Sequence, residues 1–387
     1  MIKNIYLIGE HIQALGVARL AQKCGLPVTL FIGYDLAVPR FSNSVKTIVK
    51  YKDRIDLLDK LLHAKIPSHE TLLIPTNDEQ IEWLKSDYEK LTQIYFLSIA
   101  KPEITDICHN KIATYKCAMQ SSIPIPKSWF FSSEEELNSN LETIEFPVII
   151  KPAIMFKFFD VTGKKAYLCH NKEELLVNYK KAQGIIPTDE IIIQKFLQGG
   201  AKNLYSFGAV AFDGKIYAGF MANRIRQKPM DFGISTCFAI SKNIPELEEY
   251  SIKIMKEMNY YGFAEIEFKF MFDESIGEFL LLEINPRTWK WHSMANILGL
   301  NLLSVLIRKI NGEEPKVSII RTENLGWIER VTDFYIVISE IVKGRYSVSE
   351  WWQTYKIPKE SAVWSIKDPL PAIMYLLLTP YLYLKRN

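Results

Sequence analysis

The chain has 387 residues and a formal net charge of +3, from 47 Lys and Arg against 44 Asp and Glu. This near balance excludes an electrostatic nucleic-acid binder, so we expect no nucleic-acid partner. Hydrophobic residues make up 48% and aromatic residues 12% of the chain, which excludes collagen-like and disordered classes and predicts two or three globular domains.

The cysteine pattern indicates the compartment. The five cysteines lie far apart, without a C-x-x-C pair, which argues against both a disulfide framework and a zinc site. The apolar run at 5–8 is shorter than the core of a signal peptide, because Glu10 and His11 interrupt it. We therefore expect a cytoplasmic protein.

The N-terminal part shows a β-α-β pattern. Short apolar runs alternate with helical spacing, which predicts an open α/β domain with a parallel sheet over residues 1–105. Ligands of such domains lie beyond the strand ends. Gly9 and Gly16 lack G-x-G-x-x-G spacing, which disfavours a nicotinamide dehydrogenase. The predicted elements are strands at 5–8, 28–32 and 72–75, a helix at 12–21, and a helix that begins at Asn77 or Asp78.

A second pattern follows, in which strands become frequent. We assign residues 106–196 to a second domain, 197–310 to a third, and 311–387 to a C-terminal extension. Asp213-Gly214 lies between two apolar runs and predicts a hairpin turn. The predicted elements are a helix at 111–120, a turn at 123–126, an acidic hairpin at 273–277, and strands at 146–151, 191–194, 205–212, 215–222, 264–272 and 278–284.

The most informative feature is a pair of strands that carry acidic residues. Because strand residues alternate between faces, Glu265, Glu267 and Lys269 share one face. Glu283 and Asn285 share a face of the next strand, and antiparallel pairing would bring the two faces together. Carboxylate and amide oxygens suit Mg²⁺, so Glu267, Glu283 and Asn285 are candidate metal ligands, with Mn²⁺ as the alternative ion. A solvated hairpin face is the competing interpretation.

Two lysines lie where they could reach phosphate groups. Lys111 follows Asn110 at a helix start, and Lys151 ends the apolar strand at 146–151. A compact ammonium at a strand end can pair with phosphate oxygens as a point charge, although either lysine taken alone is usually a surface residue. Together with the apolar strand at 191–197 and the acidic strands, these motifs resemble the ATP-grasp superfamily of ligases over roughly residues 1–310.

The resemblance implies an α/β fold with an α+β ATP-grasp clamp. An N-terminal open parallel α/β domain would precede the small and large ATP-grasp domains, and the C-terminal extension would follow them. The strand at 191–197 would present groups to adenine, although a buried edge strand is the alternative. The ATP-binding residues that the resemblance implies are Lys111, Lys151, Lys165, Gln194, Lys195, Leu197 and Asn203.

The chain departs from the family pattern at the phosphate lid. The segment 153–160 contains no glycine, so we expect a lid at 153–165 that is rich in lysine and aromatic residues. Within the superfamily, the chain is most similar to the D-aspartate ligase type of carboxylate–amine ligase found in polysaccharide clusters. The segments that carry this similarity are 163–165, 223–229, 231–233 and 289–292.

The resemblance implies that ATP activates a small-molecule carboxylate to an acyl phosphate, which a small-molecule amine then attacks. We expect an amino acid as the donor. Arg287 would stabilise the transferring phosphoryl group, and Arg226 would hold substrate. Arg224 and Arg226 share one face of an expected strand, although a solvated basic face is an equal alternative. His292 is either a base for the amine or a packed histidine, and its tryptophan neighbours favour the second.

Two alternatives to this function stay open. The altered lid is compatible with a non-catalytic ATP-binding module, although the complete Glu, Glu, Asn and Arg set argues against it. A ligase with a sugar amine or ammonia as acceptor is the second alternative.

The final segment, 370–387, is strongly apolar and ends in Lys385, Arg386 and Asn387. It is too short to span a bilayer. We favour a segment that packs on the protein or in a homodimer, and the alternative is peripheral contact with the inner face of a membrane.

Overall fold

The structure is a computed structural model that describes residues 1–64, 69–230, 233, 235–273 and 276–386. Asp231 and Phe232 of the segment at 231–233, residues 274–275 of the acidic hairpin, and the side chains of Lys385 and Arg386 lie outside the described part. Within the described ranges, no helix has both the length and the apolar character that crossing a bilayer requires.

The N-terminal sheet has five parallel strands with helices on both faces. Along its first strand, Ile5 and Leu7 enter one hydrophobic cluster while Tyr6 and Ile8 enter another, so both sheet faces are buried. This confirms the predicted open α/β arrangement. The elements are β1 (Asn4–Ile8), α1 (Ile12–Lys23), β2 (Val28–Ile32), β3 (Thr47–Lys50), α2 (Arg54–Leu62), β4 (Thr71–Pro75), α3 (Asp78–Ser86), α4 (Tyr88–Thr92), β5 (Phe96–Leu97) and α5 (Pro102–His109), with strand order β3-β2-β1-β4-β5.

A small antiparallel sheet follows. The first helix that accompanies this sheet begins at Lys111. The side chain of Asn110 caps it by accepting hydrogen bonds from the Ile112 and Ala113 amides. The predicted lid segment forms a helix that ends at Gly163, which has a positive φ of 63°. The elements are α6 (Lys111–Gln120), β6 (Ser128–Trp129), α7 (Glu134–Asn140), β7 (Val148–Pro152), α8 (Met155–Thr162), β8 (Tyr167–Cys169), α9 (Lys172–Gln183) and β9 (Ile191–Lys195), with strand order β6-β9-β7-β8.

The largest sheet has eight strands and is mostly antiparallel. Asp213 and Gly214 both have positive φ, 49° and 74°, as the predicted tight hairpin turn requires. The elements are β10 (Leu204–Phe212), β11 (Lys215–Lys228), β12 (Ser235–Lys242), α10 (Pro245–Glu257), β13 (Gly262–Asp273), β14 (Ile276–Asn285), α11 (Leu302–Ile310), β15 (Ser318–Ile320), β16 (Gly326–Ile328), α12 (Arg330–Val342), α13 (Val348–Tyr355), β17 (Lys359–Ser361) and α14 (Leu370–Arg386). The strand order is β14-β13-β10-β11-β12-β16-β17, and β15 pairs with β11.

The C-terminal residues contact both the large sheet and the N-terminal domain. Strands β15, β16 and β17 extend the large sheet. Buried Asp368, just before α14, accepts hydrogen bonds from Arg19 Nε at 3.0 Å, Ser42 Oγ at 2.7 Å and the Asn43 amide at 3.0 Å. Ala372 of α14 packs in the hydrophobic cluster that contains α1. The start of α14 therefore docks on the N-terminal domain, as in the packed arrangement that we favoured.

Candidate functional site

A cavity of about 1220 Å³ lies where the three sheets meet. The N-terminal sheet contributes Glu10 and Asp78, which follow the carboxyl ends of β1 and β4. The small sheet contributes Lys151 from β7, and the large sheet contributes Glu267 from β13 and Glu283 from β14. The cavity thus combines side chains from elements that are far apart in the sequence.

Most of the predicted site residues line this cavity. They come from a helix start, from strands, and from the segments that follow α8, β9 and β14. The predicted residues in the cavity wall are Lys111, Lys151, Lys165, Gln194, Leu197, Glu267, Glu283, Asn285 and Arg287. The predicted residues outside the wall are Lys195, Asn203 and Arg226.

The acidic strands pair as the alternation predicted. In the antiparallel register of β13 and β14, Glu267 lies opposite Glu283 and Glu265 lies opposite Asn285. Asn285 Nδ2 donates to Glu267 Oε1 at 2.8 Å and to Glu265 Oε2 at 3.2 Å. This register gathers three carboxylates and one amide on a single face of the sheet.

Each of these carboxylates has a cationic partner. Lys111 Nζ lies 2.8 Å from Glu283 Oε2, and this ammonium lowers the pKa of Glu283. Arg224 Nη2 forms ion pairs with Glu267 and, at 3.0 Å, with Glu265. Burial outweighs these contacts at Glu267 and raises its pKa. The acidic face is therefore close to charge balance without a ligand.

The same residues fit a magnesium ion by their donor chemistry. Glu267 and Glu283 would supply two carboxylates, which are hard oxygen ligands. Asn285 would supply its amide oxygen after the amide turns over, because Nδ2 faces Glu267 here and Oδ1 accepts from Arg287 at 3.3 Å. Over the described residues, no three His, Cys, Asp or Glu side chains are arranged to enclose a metal by themselves. Such an open arrangement suits Mg²⁺, which usually keeps several waters and binds substrate phosphates with only one or two protein carboxylates.

Two further lysines of the cavity wall have neutral hydrogen-bond partners. Lys151 Nζ donates to Tyr115 OH and to Gln194 Oε1, both at 2.9 Å. Its burial, together with the nearby charge of Lys111, lowers the pKa of Lys151 to about 7. Lys165 Nζ donates to the Gly233 carbonyl at 3.1 Å, and burial lowers its pKa also. An anionic ligand would stabilise both ammonium groups.

The arginine that we predicted as catalytic is held by the N-terminal domain. Arg287 forms a bidentate pair with Asp78, with Nε–Oδ1 at 2.7 Å and Nη2–Oδ2 at 2.8 Å. His109 packs beside this pair and donates from Nδ1 to Glu82 at 2.6 Å. The sequence marked Asp78 only as a helix start, and no local signal pointed to its partner.

Lys195 and Asn203 have structural contacts outside the cavity. Lys195 Nζ donates to the carbonyls of Glu145 and Phe146, both at 3.3 Å. Asn203 Nδ2 donates to the Phe270 carbonyl at 3.0 Å. The cavity wall at this end instead includes Lys269, whose Nζ donates to the Leu197 and Gly199 carbonyls, both at 2.8 Å.

Arg226 lies away from the cavity, and the prediction that it shares a face with Arg224 is wrong. The β11–β12 register shifts between Arg224 and Arg226, because a β-bulge inserts an extra residue and breaks the alternation. The guanidinium of Arg226 is 2% exposed and forms a bidentate pair with Asp333, at 2.6 and 3.0 Å. It also donates to Tyr346 OH at 2.9 Å, so its contacts are with the C-terminal helices.

His292 has the environment of a packed histidine. Its side chain is 1% exposed, and Nδ1 donates to the Trp289 carbonyl at 2.6 Å. A Cβ atom added at Gly16 would lie 2.6 Å from its Nε2, so α1 packs directly against the ring. Burial lowers its pKa to about 4. The contacts favour the structural interpretation over a base.

Comparisons with known sequences show what this chain is similar to. The family model described as "Carbamoyl-phosphate synthase L chain, ATP binding domain" matches residues 110–316. D-aspartate ligase of Enterococcus faecium is 25% identical over 312 residues, which cover 76% of this chain and 74% of that protein. The carbamoyl phosphate synthase large chain, C-terminal section, of Methanopyrus kandleri is 24% identical over 56% of this chain, and the match covers only 40% of that protein.

Solved structures share the fold at low sequence identity. The biotin carboxylase domain of Hydrogenobacter thermophilus 2-oxoglutarate carboxylase superposes with a TM-score of 0.66 at 17% identity, over 84% of this chain and 73% of that chain. N5-carboxyaminoimidazole synthetase from Staphylococcus aureus gives 0.63 at 15% identity, over 88% and 86% of the two chains. These similarities show that the chain shares the fold of these structures.

Proposed function

This chain belongs to the family of carbamoyl-phosphate synthase L chain ATP-binding domains and has the ATP-grasp fold, and from that membership we propose an ATP-dependent carboxylate–amine ligase. In this reaction a carboxylate oxygen bonds to the γ-phosphorus of ATP as ADP leaves. The amine nitrogen then bonds to the acyl carbon, phosphate leaves, and the nitrogen loses a proton. The products are an amide, ADP and phosphate.

One observation carries the proposal. A single cavity has Glu267, Glu283 and Asn285 on one wall and the buried ammonium groups of Lys151 and Lys165 on another. The acidic wall suits a magnesium ion, which when bound would neutralise phosphate charge, and the lysines suit the phosphates directly. A non-catalytic module would need the nucleotide-binding lysines but would not need the complete acidic set.

The chain's residues would act mainly by positioning and by charge neutralisation. The approach of a carboxylate to the γ-phosphate brings two anions together, so fixed cations lower the barrier. Lys151 and Lys165 would hold the phosphates, and Arg287, held by Asp78, would stabilise the transferring phosphoryl group. An acyl phosphate is easily hydrolysed, so helix α8 would serve as the lid that excludes water.

The proposals for the donor, the acceptor, the metal ion, the oligomeric state and the compartment rest mainly on similar proteins. The similarity to a D-aspartate ligase supports an amino-acid donor, and a sugar amine or ammonia remains an alternative acceptor. Mg²⁺ is the proposed ion, with Mn²⁺ as a substitute, because the biotin carboxylase neighbour was solved with MgADP. That neighbour is a domain dimer, which supports a homodimer here. We propose a cytoplasmic protein, because ATP is its substrate and its five cysteines are free.

The proposal is tested by ADP release. We expect Mg²⁺-dependent ADP formation with one acid from a panel of D- and L-amino acids, and a hydroxamate when hydroxylamine replaces the amine. The hydroxamate would identify the donor and establish carboxylate activation. Measurable ATP binding without ADP or hydroxamate across the panel would contradict a ligase that uses an amino-acid donor and would favour the non-catalytic module.

The lowered pKa of Lys151 predicts a pH dependence of nucleotide binding. Its pKa is about 7 in the free protein because of burial and Lys111, while Glu283 opposes this effect. Bound phosphate would favour the ammonium form and raise the pKa, so binding takes up a proton above pH 7. We expect the MgADP affinity to fall about tenfold from pH 6 to pH 8. Calorimetry in two buffers of different ionisation enthalpy measures both the affinity and the proton uptake.

The matched control for this prediction is Lys151→Arg. Arginine stays charged throughout this range, so the variant should bind MgADP with little change between pH 6 and pH 8 and without proton uptake. An unchanged pH profile in the variant would mean that another group causes the wild-type dependence.

A further inference from the structure

Two C-terminal helices, α12 and α13, present large apolar side chains to solvent. More than half of the exposed large apolar side chains in the described part of the chain lie at 334–377. On α12, Phe334, Ile338 and Val342 follow one another at a spacing of four residues, which places them on one face of the helix. No described residue of α12 or α13 lines the cavity, so the proposed reaction does not explain this exposure.

The apolar surface continues from α12 onto α13. Val348 and Trp352 are also four residues apart, and they are 61% and 55% exposed. The ring centroids of Phe334 and Trp351 lie 6.3 Å apart, which joins the two helices, and Trp352 stacks on Tyr355 at 5.8 Å. The surface that we call the α12–α13 face consists of Phe334, Ile338, Val342, Val348, Trp352 and Tyr355.

Cations extend both apolar stripes. Arg330 lies four residues before Phe334 at the start of α12, and Lys356 lies four residues after Trp352 at the end of α13. Both cationic residues are exposed. At this spacing each cation lies on the same side of its helix as the apolar residues. The α12–α13 face therefore has positive charge at its edges.

The acidic side chains of the two helices are paired with cations and do not cancel this charge. The buried carboxylate of Glu340 is shared by Lys343 at 3.0 Å and Arg345 at 2.7 Å, which leaves one positive charge in excess. Exposed Glu350 lies 3.7 Å from Lys202. An anionic partner would thus be attracted to this part of the molecule.

The combination of side chains distinguishes between partners. In a symmetric dimer the same patch meets itself, so two faces with the same excess of positive charge would repel each other. A single-stranded nucleic acid would use the rings and the cations but would leave the aliphatic Ile338, Val342 and Val348 without a partner. An anionic bilayer suits all of them, because hydrocarbon accepts the aliphatic groups, Trp and Tyr rings lie at headgroup level, and lipid phosphates attract the cations.

We propose that the α12–α13 face binds the surface of a membrane that contains anionic lipids. The contact is peripheral, with Phe334, Ile338 and Val342 in the outer part of the hydrocarbon and with Arg330 and Lys356 at the headgroups. It is separate from the terminal segment 370–387 that the sequence suggested for such a contact. The inference goes beyond the proposed ligase function and does not rest on it.

Sedimentation of the full chain with lipid vesicles tests this surface. We expect binding to phosphatidylcholine vesicles that contain about one-third phosphatidylglycerol, and weaker binding to phosphatidylcholine alone. Raising the salt concentration from about 0.1 M to about 1 M should weaken binding to the mixed vesicles, because salt screens the cations. The double variant Trp352→Gln with Lys356→Glu should lower the partition coefficient at least about tenfold.

The matched control is Val177→Gln with Lys180→Glu on α9, which also replaces one exposed apolar side chain and one exposed cation. This variant should bind the mixed vesicles like the wild type. Both double variants should keep the wild-type affinity for MgADP, which shows that they fold.

Three results would overturn the proposal. The first is no binding to the mixed vesicles, or equal binding by the wild type and both double variants. The second is binding that is lost in Leu376→Gln with Leu377→Gln but kept in the Trp352 and Lys356 double variant, which would assign the contact to α14. The third is a dimer that this double variant abolishes, without vesicle binding, which would show that a second copy covers the face. Each result would leave the ligase proposal intact.

Discussion

Replacing Glu283 by Gln is expected to lower kcat by about 100- to 1000-fold. The substitution keeps the shape of the side chain but removes the charge that faces Lys111 at 2.8 Å. It also removes one of the two carboxylates proposed to hold Mg²⁺. With the charge lost, both the metal and Lys111 would be less well positioned for phosphoryl transfer. Steady-state ADP release with the preferred donor measures the effect.

A second measurement assigns the cause of that loss. If Glu283 holds the ion, the Mg²⁺ concentration needed for half-maximal binding of a non-hydrolysable ATP analogue should rise in Glu283→Gln. Glu278→Gln is the matched control, because Glu278 lies on the same strand with an exposed side chain. Wild-type ADP production by Glu283→Gln would refute the metal assignment.

The acidic wall could be predicted because it depends on local order. Strand alternation places Glu265 and Glu267 on one face of β13, and Glu283 and Asn285 on one face of β14. A register shift between Glu267 and Phe268, which the alternation did not predict, then brings Glu283 opposite Glu267. The lysine at the start of α6 could be predicted for a similar reason, since Asn110 is a strong helix cap. Apart from the register shift, these features depend only on residues that are neighbours in the sequence.

The contacts that complete the site could not be predicted in the same way. Asp78 and Arg287 are 209 residues apart, and their pairing depends on how the N-terminal sheet meets the large sheet. The partners of Lys195 and Asn203 are backbone carbonyls, which carry no sequence signal. Strands β15 to β17 have three residues each, too few for an alternating pattern to be recognised.

Replacing Arg226 by Met is expected to lower the free energy of unfolding by about 3–5 kcal/mol, without lowering kcat of the folded enzyme. The Arg226–Asp333 pair is buried, with both side chains 2% exposed. Removing the arginine leaves the Asp333 carboxylate buried without its bidentate partner. Burial already raises the pKa of this carboxyl, so its charge would be still more costly in the variant. Denaturant unfolding together with ADP release per folded molecule measures both quantities.

A double variant separates the charge pair from packing. Arg226→Met with Asp333→Leu removes both charges and should regain most of the lost stability, because a buried ion pair is often replaced by apolar residues at little cost. A fall in kcat of Arg226→Met at unchanged stability would instead restore the substrate-binding role in the active site that we first predicted. We expect no such fall in kcat, because the β-bulge between Arg224 and Arg226 on β11 separates the two side chains. It leaves Arg224 in the cavity with Glu265 and Glu267, and it turns the next arginine of the same strand toward the helices that cover the sheet.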